Sequence, residues 1–335
     1  MERILVTGGT GYIGSHTIIE LYKESYEIDV LDNLYNSKIT VLDQIEKISG
    51  RRPNFYQIDL LDYVKMDELF AKNHYDLVIH FAGLKAVGES VEQPLKYYEN
   101  NVGGTINLLK CMQKHNVNKI IFSSSATVYG TQKVTKLDES MTTGVGITNP
   151  YGETKHIIEE ILKDVADSDP NFSATILRYF NPVGNHPSGL IGEDPNDIPN
   201  NLMPIIMKVS TGDIKELNIY GNDYPTPDGT GVRDFIHVVD LAKGHVATIK
   251  NIKPGIQIYN LGTGKGTSVM EMVKAFEKVS DRELPYIIAP RRPGDLAECY
   301  ADPTKAEREL NWHAELTIDD AMRDTIKYLE HVKKT

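Results

Sequence analysis

The sequence predicts an α/β protein built on a Rossmann-type, doubly wound parallel sheet, with a smaller mixed α/β domain. Three observations predict this class. Short β-branched runs alternate with longer helical patterns in the first half, a glycine-rich turn follows the first apolar run, and the second half is rich in Gly, Pro, Asn and Asp. Strands that alternate with helices of this length form right-handed βαβ units and hence a parallel sheet covered on both faces.

The elements follow in chain order. The predicted strands of the first half are RILVTGG, EIDVLDN, NFYQIDL, YDLVIHFAG and NKIIFSSS, and helical patterns occupy SHTIIELYKE and VGGTINLLKCMQKH. Further on, NLMPIIMKVSTG predicts a short helix, and RDFIHVVDLAKGHVATI predicts a return to the sheet followed by a helix. We therefore expect a first domain over residues 1–180 and a second over 181–335, with the chain crossing back around 235–262.

Composition excludes several classes of function. The net charge of −11 argues against nucleic acid and anionic membrane surfaces as partners, because both select basic patches. Two cysteines predict no disulfide framework, and the ten histidines show no ligand-type spacing, so no metal is expected. No apolar run is long enough to span a bilayer, and the first one starts too close to Met1 for a signal peptide. We expect a cytoplasmic protein.

A phosphate-binding turn is predicted at TGGTGYIG, between the first strand and the first helix. Gly8, Gly11 and Gly14 permit a tight turn and let the backbone approach a pyrophosphate at the helix N-terminus. Asp32 ends the next strand, where a carboxylate binds adenosine ribose hydroxyls and repels a 2′-phosphate, so NAD is favoured over NADP.

Two further strand ends are predicted to line the same edge of the sheet. Asp59 and Leu60 suit the adenine end of a dinucleotide. Phe81, Ala82 and Gly83, followed by Lys85, include small residues that let the backbone approach the cofactor.

A candidate catalytic pair lies in NPYGETK. The pattern Y-x-x-x-K occurs at Tyr129…Lys133 and at Tyr151…Lys155, but only the second follows a proline suited to a helix start and precedes an apolar helical face. A free tyrosine has a pKa of about 10, and lowering it by about 3 units requires ~4 kcal/mol of preference for the anion. A nearby ammonium and the positive nicotinamide ring of NAD+ can supply energy of that order, so Tyr151 is a candidate general base.

Three serines precede this helix in SSSATVYG. A serine hydroxyl both donates and accepts, so one of them can follow a substrate oxygen as it changes from hydroxyl to carbonyl. At least one of the three is expected only to satisfy loop backbone.

These segments together with LRYFNPVG, NDYPTPDGTGVRDFIHV and RRPGDLAECY resemble the extended short-chain dehydrogenase/reductase family, and within it the enzymes that invert C4 of a UDP-hexose. The resemblance runs essentially end to end. It implies that residues 1–180 bind NAD, that residues 181–335 bind the UDP-sugar, and that UDP-glucose and UDP-galactose interconvert through a 4-keto intermediate while NAD stays bound. It also implies a homodimer formed through the helices around Gly103–His115 and Tyr151–Ala166.

The resemblance also implies roles for individual residues. Tyr151 takes the proton of the 4-hydroxyl, Lys155 lowers the pKa of the tyrosine and holds the nicotinamide ribose, and Ser125 hydrogen-bonds the 4-oxygen. The substrate-binding residues are then Ser125, Tyr151, Asn181, Asn201, Leu202, Asn218, Tyr220, Arg233, Arg292, Asp295 and Cys299. The remaining cofactor-binding residues are Tyr12, Ile13, Asn33, Asn36, Ser37, Asn100, Ser123, Tyr151, Lys155 and Phe180.

Two of these assignments carry a physical argument. Because the net charge opposes an anionic substrate, Arg233 and Arg292 must reverse the field at the pyrophosphate. Cys299 stands where family members restricted to glucose and galactose can carry a tyrosine. A thiol is much smaller than a phenol ring, so we expect room for a 2-acetamido group and turnover of UDP-GlcNAc and UDP-GalNAc.

Two other functions are alternatives, and the residues disfavour both: Ala126 and Thr127 cannot act as an acid–base pair, and Ser125, Tyr151 and Lys155 are all present. A nucleotide-sugar 4,6-dehydratase would need an acid–base pair directly after the active-site serine, where this chain has Ala126 and Thr127. A dinucleotide-sensing regulatory protein would keep the glycine turn and could lose the catalytic residues. Loss of turnover in Tyr151→Phe would distinguish an enzyme from such a sensor.

Overall fold

The computed structural model describes residues 2–132, 134–194, 196, 201–292 and 295–333. Its strands are β1 Arg3–Thr7, β2 Glu27–Asp32, β3 Asn54–Gln57, β4 Leu77–His80, β5 Lys119–Ser125, β6 Lys136–Leu137, β7 Ser173–Tyr179, β8 Asn181–Val183, β9 Leu217–Tyr220, β10 Val232–Arg233, β11 Phe235–His237, β12 Gly255–Leu261, β13 Thr267–Ser268, β14 Tyr286–Ala289 and β15 Glu298–Ala301.

The helices alternate with these strands through most of the first half of the chain. They are α1 Tyr12–Lys23, α2 Val41–Ser49, α3 Tyr63–Lys72, α4 Val87–Glu92, α5 Pro94–Tyr97, α6 Gly104–Lys114, α7 Pro150–Ser168, α8 Leu202–Thr211, α9 Val238–Ile249, α10 Val269–Ser280, α11 Thr304–Leu310 and α12 Ile318–Val332. A π-helical turn, Tyr98–Gly103, leads into α6, and a 3-10 turn, Ala126–Tyr129, follows β5.

Seven parallel strands form the main sheet in the order β12-β7-β5-β4-β1-β2-β3. Alternate residues of each strand enter two hydrophobic cores: Ile4 and Val6 pack on the face that α1 and α9 cover, and Leu5 packs on the opposite face with residues of α3, α6 and α7. The strand order reverses between β1 and β4, which is where ligands bind in such sheets. The prediction of a doubly wound α/β fold is confirmed.

A further core lies outside the main sheet. Apolar side chains of α8, α10 and α12 pack together with β9 and with Leu284, which precedes β14. Strands β9 and β14 form a small parallel sheet. A four-stranded sheet in the order β13-β10-β15-β6 connects this part to the loop after β5. These elements make up the smaller mixed α/β unit that the sequence predicts.

One strand prediction was wrong. The segment RDFIHVV was expected to return to the main sheet, but its strand β11 pairs in parallel with β8. The outer edge of β7 is instead occupied by β12, which follows α9 and pairs over seven residues, from Gly255↔Ser173 to Leu261↔Tyr179. A three-residue strand cannot compete for that edge with a seven-residue strand whose backbone hydrogen bonds extend along all of β7. The helix predicted after it is present as α9.

Candidate active site

The carboxyl ends of the main-sheet strands border one cleft of about 570 Å³. This size is within the range of small-molecule sites. The cleft is lined by nearly all of the predicted cofactor-binding residues: Gly8, Gly11, Tyr12, Ile13, Gly14, Asp32, Asn33, Asn36, Ser37, Asp59, Leu60, Phe81, Ala82, Gly83, Lys85, Asn100, Ser123, Tyr151 and Lys155. Phe180 is not among them, because it is buried in a separate apolar cluster with Cys299 against it.

The glycine turn at the base of the cleft requires glycine at two positions. Gly8 has φ +71°, and a Cβ there would lie 2.7 Å from the backbone nitrogen of Ala82. A Cβ at Gly14 would lie 2.5 Å from the Gly8 carbonyl oxygen. No side chain caps α1, and no acidic residue lies in its first turn, so the helix N-terminus presents its backbone N–H groups to an anion.

The adenosine end of the cleft carries carboxylates at two neighbouring strand ends. Asp32 is buried and accepts hydrogen bonds from the backbone N–H groups of Thr10 (3.2 Å) and Leu34 (2.9 Å). The Asn33 amide donates to Asp59 at 2.8 Å. The contacts to Asp32 fix a carboxylate where ribose hydroxyls are bound in dinucleotide folds. The cleft therefore fits NAD.

The candidate catalytic tyrosine is placed by the start of α7. The side chain of Asn149 accepts from the backbone N–H of Gly152 at 2.9 Å and caps the helix, and Pro150 occupies its first turn. Burial raises the pKa of Tyr151, while a hydrogen bond with Ser125 and the charge of Lys85 act to lower it. Sequence reasoning had expected Lys155 to be the cation that lowers this pKa.

Lys155 lies one helical turn further on and is almost completely buried. Its Nζ donates to the carbonyl oxygen of Ser123 at 2.6 Å and lies 6.0 Å from the centroid of the Tyr151 ring. Burial lowers the pKa of Lys155 to about 7, partly opposed by the charge of Glu159. The ammonium is thus held between β5 and the tyrosine by a main-chain acceptor.

The three serines at the end of β5 have different contacts. Ser123 binds Lys155 as described, and Ser124 donates to the buried carboxylate of Glu159 at 2.5 Å, which makes it part of the core. Ser125 hydrogen-bonds with Tyr151 and also accepts from the backbone N–H of Thr127. Of the other Y-x-x-x-K pair, Tyr129 is buried and donates to Asn260 at 2.7 Å, and Lys133 lies outside the described residues.

Of the predicted substrate residues, Tyr151 and Asn201 line the cleft, whereas Tyr220, Arg233, Arg292 and Asp295 form a second group. Asp295 binds both arginines: Arg233 donates to one carboxylate oxygen, and Arg292 donates to the other from Nε and Nη2 at 3.1 and 2.9 Å. The guanidinium of Arg292 lies over the Tyr220 ring, 4.9 Å from its centroid. The two arginines expected at the pyrophosphate are therefore held together by one carboxylate.

The fold links this group to the candidate catalytic side chains. Ser125 is in register with Tyr179 at the end of β7, and the backbone N–H of Asn181 donates to the Asp234 carbonyl oxygen at 2.9 Å, next to Arg233. In the four-stranded sheet Arg233 is in register with Cys299. The other predicted substrate residues lie on α8 and β9: Asn201 at the cap of α8, Leu202 at its start and Asn218 on β9.

Sequence reasoning missed several residues of the cleft, among them two buried polar side chains, Tyr179 and Glu193. Tyr179 is buried and its hydroxyl hydrogen-bonds to His245; it immediately precedes Phe180 in LRYFN at a strand end, a position that could have suggested it. Glu193 is also buried, and its carboxylate accepts from Lys85 at 2.9 Å. It comes from a loop, where the sequence gives no signal of burial.

Comparison with known proteins identifies the family of this chain. A profile of the NAD dependent epimerase/dehydratase family matches residues 4–262. The chain belongs to this family. A UDP-glucose 4-epimerase of Bacillus subtilis is 56% identical, with 97% of this chain and 96% of that protein covered.

Two solved structures of such epimerases are also similar. The UDP-glucose 4-epimerase of Bifidobacterium longum, in complex with NAD+ and UDP, superimposes with a TM-score of 0.95 at 55% identity over 98% of both chains. The UDP-Glc/GlcNAc 4-epimerase of Campylobacter jejuni has a TM-score of 0.86 at 34% identity, covering 99% of this chain and 100% of that one. The predicted family resemblance and NAD as the cofactor of this epimerase are confirmed.

The described residues contain neither a candidate metal site nor a candidate membrane-spanning helix. No group of three or more His, Cys, Asp or Glu side chains within it could hold a metal ion. None of the helices within the described ranges is long and apolar enough to cross a membrane.

Proposed function

We propose that this enzyme interconverts UDP-glucose and UDP-galactose by inverting C4 of the hexose through a 4-keto intermediate. The observation that carries the proposal is that Tyr151 and Lys155 line the cleft that also contains the glycine turn, with Ser125 hydrogen-bonded to Tyr151. The near full-length identity to UDP-glucose 4-epimerases supports it.

The side chains of the cleft perform the proton chemistry. When bound, NAD supplies the hydride acceptor for C4 and later returns the hydride. Tyr151 as phenolate takes the proton of the 4-hydroxyl as the C4–H bond breaks and C4=O forms, and it gives the proton back to O4 in the reverse step. Ser125 donates to the oxygen as it becomes a carbonyl. Lys155 and Lys85 favour the phenolate by their charge.

Inversion requires that the keto sugar presents its other face before the hydride returns. We propose that the uridine and pyrophosphate stay bound during this turn, held by Arg233 and Arg292 with Asn181, Asn201, Leu202, Asn218 and Tyr220. Two guanidinium groups give a local positive field in a chain whose net charge is −11. Asp295 keeps both of them oriented in advance.

The pocket of this enzyme is also proposed to accept UDP-GlcNAc and UDP-GalNAc. Cys299 is partly buried on β15 against the cluster that contains Phe180 and Val128, and no bulky ring fills its position. The Campylobacter jejuni neighbour is a UDP-Glc/GlcNAc 4-epimerase. We expect wild-type protein to convert both sugar pairs, and Cys299→Tyr to lose UDP-GlcNAc turnover by about tenfold or more while keeping UDP-galactose turnover. Negligible wild-type turnover of saturating UDP-GlcNAc would refute this.

Incubation of purified protein with UDP-galactose, without added cofactor, tests the main proposal. We expect UDP-glucose to appear over time, and Tyr151→Phe to reduce turnover by at least about 10²-fold. Product that appears only after NAD is added would mean that the cofactor is loosely held. If no product forms even then, the proposed reaction is wrong and the sensing function becomes the better hypothesis.

Three further features of this enzyme are proposed: its assembly, its location and its division into domains. We propose a homodimer through the helices around Gly103–His115 and Tyr151–Ala166, near which Leu95 is 81% exposed, and light scattering would measure its mass. A cytoplasmic location suits two cysteines that are both unbridged. We also retain the division into an NAD-binding domain, residues 1–180, and a UDP-sugar-binding domain, residues 181–335, with the crossing at 235–262.

A further inference from the structure

Glu193 is a buried carboxylate at the junction of the two halves of the cleft. It is 6% exposed, and its Oε1 accepts from the Lys85 ammonium at 2.9 Å and from the Asn201 side-chain amide at 2.8 Å. The first partner is a predicted cofactor residue and the second a predicted substrate residue. The backbone N–H of Glu193 donates to the buried Asn185 at 3.1 Å, which fixes the main chain at this point.

A buried carboxylate in this cleft is electrostatically unfavourable. The net charge of the chain is already −11, and the proposed substrate and cofactor both carry pyrophosphates. Burying a carboxylate is unfavourable unless it is paired and hydrogen-bonded, and these two partners supply that compensation. A glutamine could accept the same two hydrogen bonds. The negative charge itself therefore calls for a function.

The charge of Glu193 acts on Lys85, a cation that lines the same cleft as Tyr151. The polar groups around Tyr151 are Lys85 from the loop after β4, Lys155 on α7, Ser125 on β5 and Tyr179 on β7. Among these, Lys85 favours the phenolate by its charge, and Glu193 is the carboxylate that forms an ion pair with it.

We propose that Glu193 is a positioning residue, which holds the Lys85 ammonium and the Asn201 amide in place and limits the effect of Lys85 on the Tyr151 base. This inference rests on the proposed epimerase function. A general base works best when its pKa is near the working pH. Pairing with a carboxylate reduces the positive potential that Lys85 exerts at Tyr151, so Glu193 sets how strongly this ammonium favours the phenolate.

The test is the pH dependence of turnover in Glu193→Gln. We expect the acidic limb of the kcat profile to move to lower pH by about 0.5–1 unit, because loss of the counter-charge leaves Lys85 free to favour the phenolate. The ultraviolet absorbance of tyrosinate reports the ionisation of Tyr151 when the signal of the same variant in a Tyr151→Phe background is subtracted. The midpoint of that titration should move to lower pH by the same amount. Glu193→Ala also loses the acceptor for Asn201, so KM for UDP-galactose should rise about tenfold, the loss of one buried hydrogen bond.

Two further variants make the test decisive. Lys85→Met should move the acidic limb to higher pH, opposite to Glu193→Gln. Glu20→Gln is the matched control: Glu20 is also buried and paired with a lysine, Lys23 at 2.6 Å, but it lies outside the cleft, so the profile should not move. If the wild-type protein is active but Glu193→Gln moves neither the pH profile nor the tyrosinate titration, this inference alone is overturned. If the wild-type protein is inactive, the proposed function is overturned.

Discussion

Lys155 is a candidate catalytic residue whose buried charge lowers the stability of the folded protein. Its ammonium is buried beside Phe122, with one strong hydrogen bond to a main-chain carbonyl. Burial lowers its pKa from 10.5 to about 7. A lysine with a lowered pKa in the folded state destabilises the fold most at pH values below that pKa, where it must be charged in the folded state too.

Replacement of this lysine by methionine should therefore stabilise the protein while abolishing turnover. The shift from 10.5 to about 7 corresponds to about 5 kcal/mol, and loss of the bond to Ser123 offsets part of it, so we expect a gain of about 2 kcal/mol. The gain should be full below pH 7, where the lysine is charged in both states, and vanish as pH rises towards 10.5, above which it is neutral in both states. Urea denaturation of both proteins at several pH values measures it.

If the gain in the free energy of unfolding stayed constant from pH 6 to pH 10, this account would be contradicted. A constant gain would come from better packing of methionine, which does not depend on pH. Lys163→Met provides a control on the same helix. Lys163 pairs with Glu160 at 2.7 Å near the surface, and such pairs contribute little to stability. We expect its effect on the free energy of unfolding to be below about 1 kcal/mol at every pH.

At the scale of elements, the turn between β1 and α1 depends on close backbone approach. In Gly14→Ala the new Cβ would lie 2.5 Å from the Gly8 oxygen and 2.9 Å from the Gly9 Cα, so the turn must open. We expect a loss of about 2 kcal/mol or more in stability and release of NAD during purification. Absorbance of the bound dinucleotide and a thermal melt measure both effects.

Gly88→Ala is the control for this change. Gly88 lies on α4 without a positive φ, and a Cβ added to it would meet no atom within 4 Å. Alanine there should stabilise the helix by about 0.5–1 kcal/mol and leave NAD content unchanged. Equal NAD content in the two variants would show that cofactor binding does not depend on the packing of the glycine turn.

The sequence was sufficient for the elements whose pattern is local. The apolar runs of the main sheet and the glycine turn at Gly8–Gly14 predicted a doubly wound fold, and the proline before Tyr151 placed the start of α7. The pairing of short strands was not predictable from the sequence. Both β11 and β12 are apolar, and only their competition for the edge of β7 decides which of them joins the main sheet. The contact of Lys85 with Glu193 joins residues 108 positions apart, so no local pattern could reveal it.

At the scale of the whole molecule, the single tryptophan reports on the docking of the C-terminal segment. Trp312 is buried in the core on the α1 side of the main sheet, and its Nε1 donates to the Asp240 carbonyl oxygen at 3.0 Å. Because this core includes residues of β1, β2 and β12, we expect melting followed by tryptophan fluorescence and by far-ultraviolet circular dichroism to coincide. An earlier fluorescence transition would show that the segment undocks by itself.

The position of β12 in the main sheet has a consequence for synthesis on the ribosome. Its partner β7 ends at Tyr179, but the strand that covers its outer edge ends at Leu261, about 80 residues later. At about 5–20 residues per second, translation leaves this edge exposed for roughly 4–16 s. An unpaired edge of buried, apolar strand residues can pair with another nascent chain. Newly made copies of this protein should therefore need chaperones most in that interval.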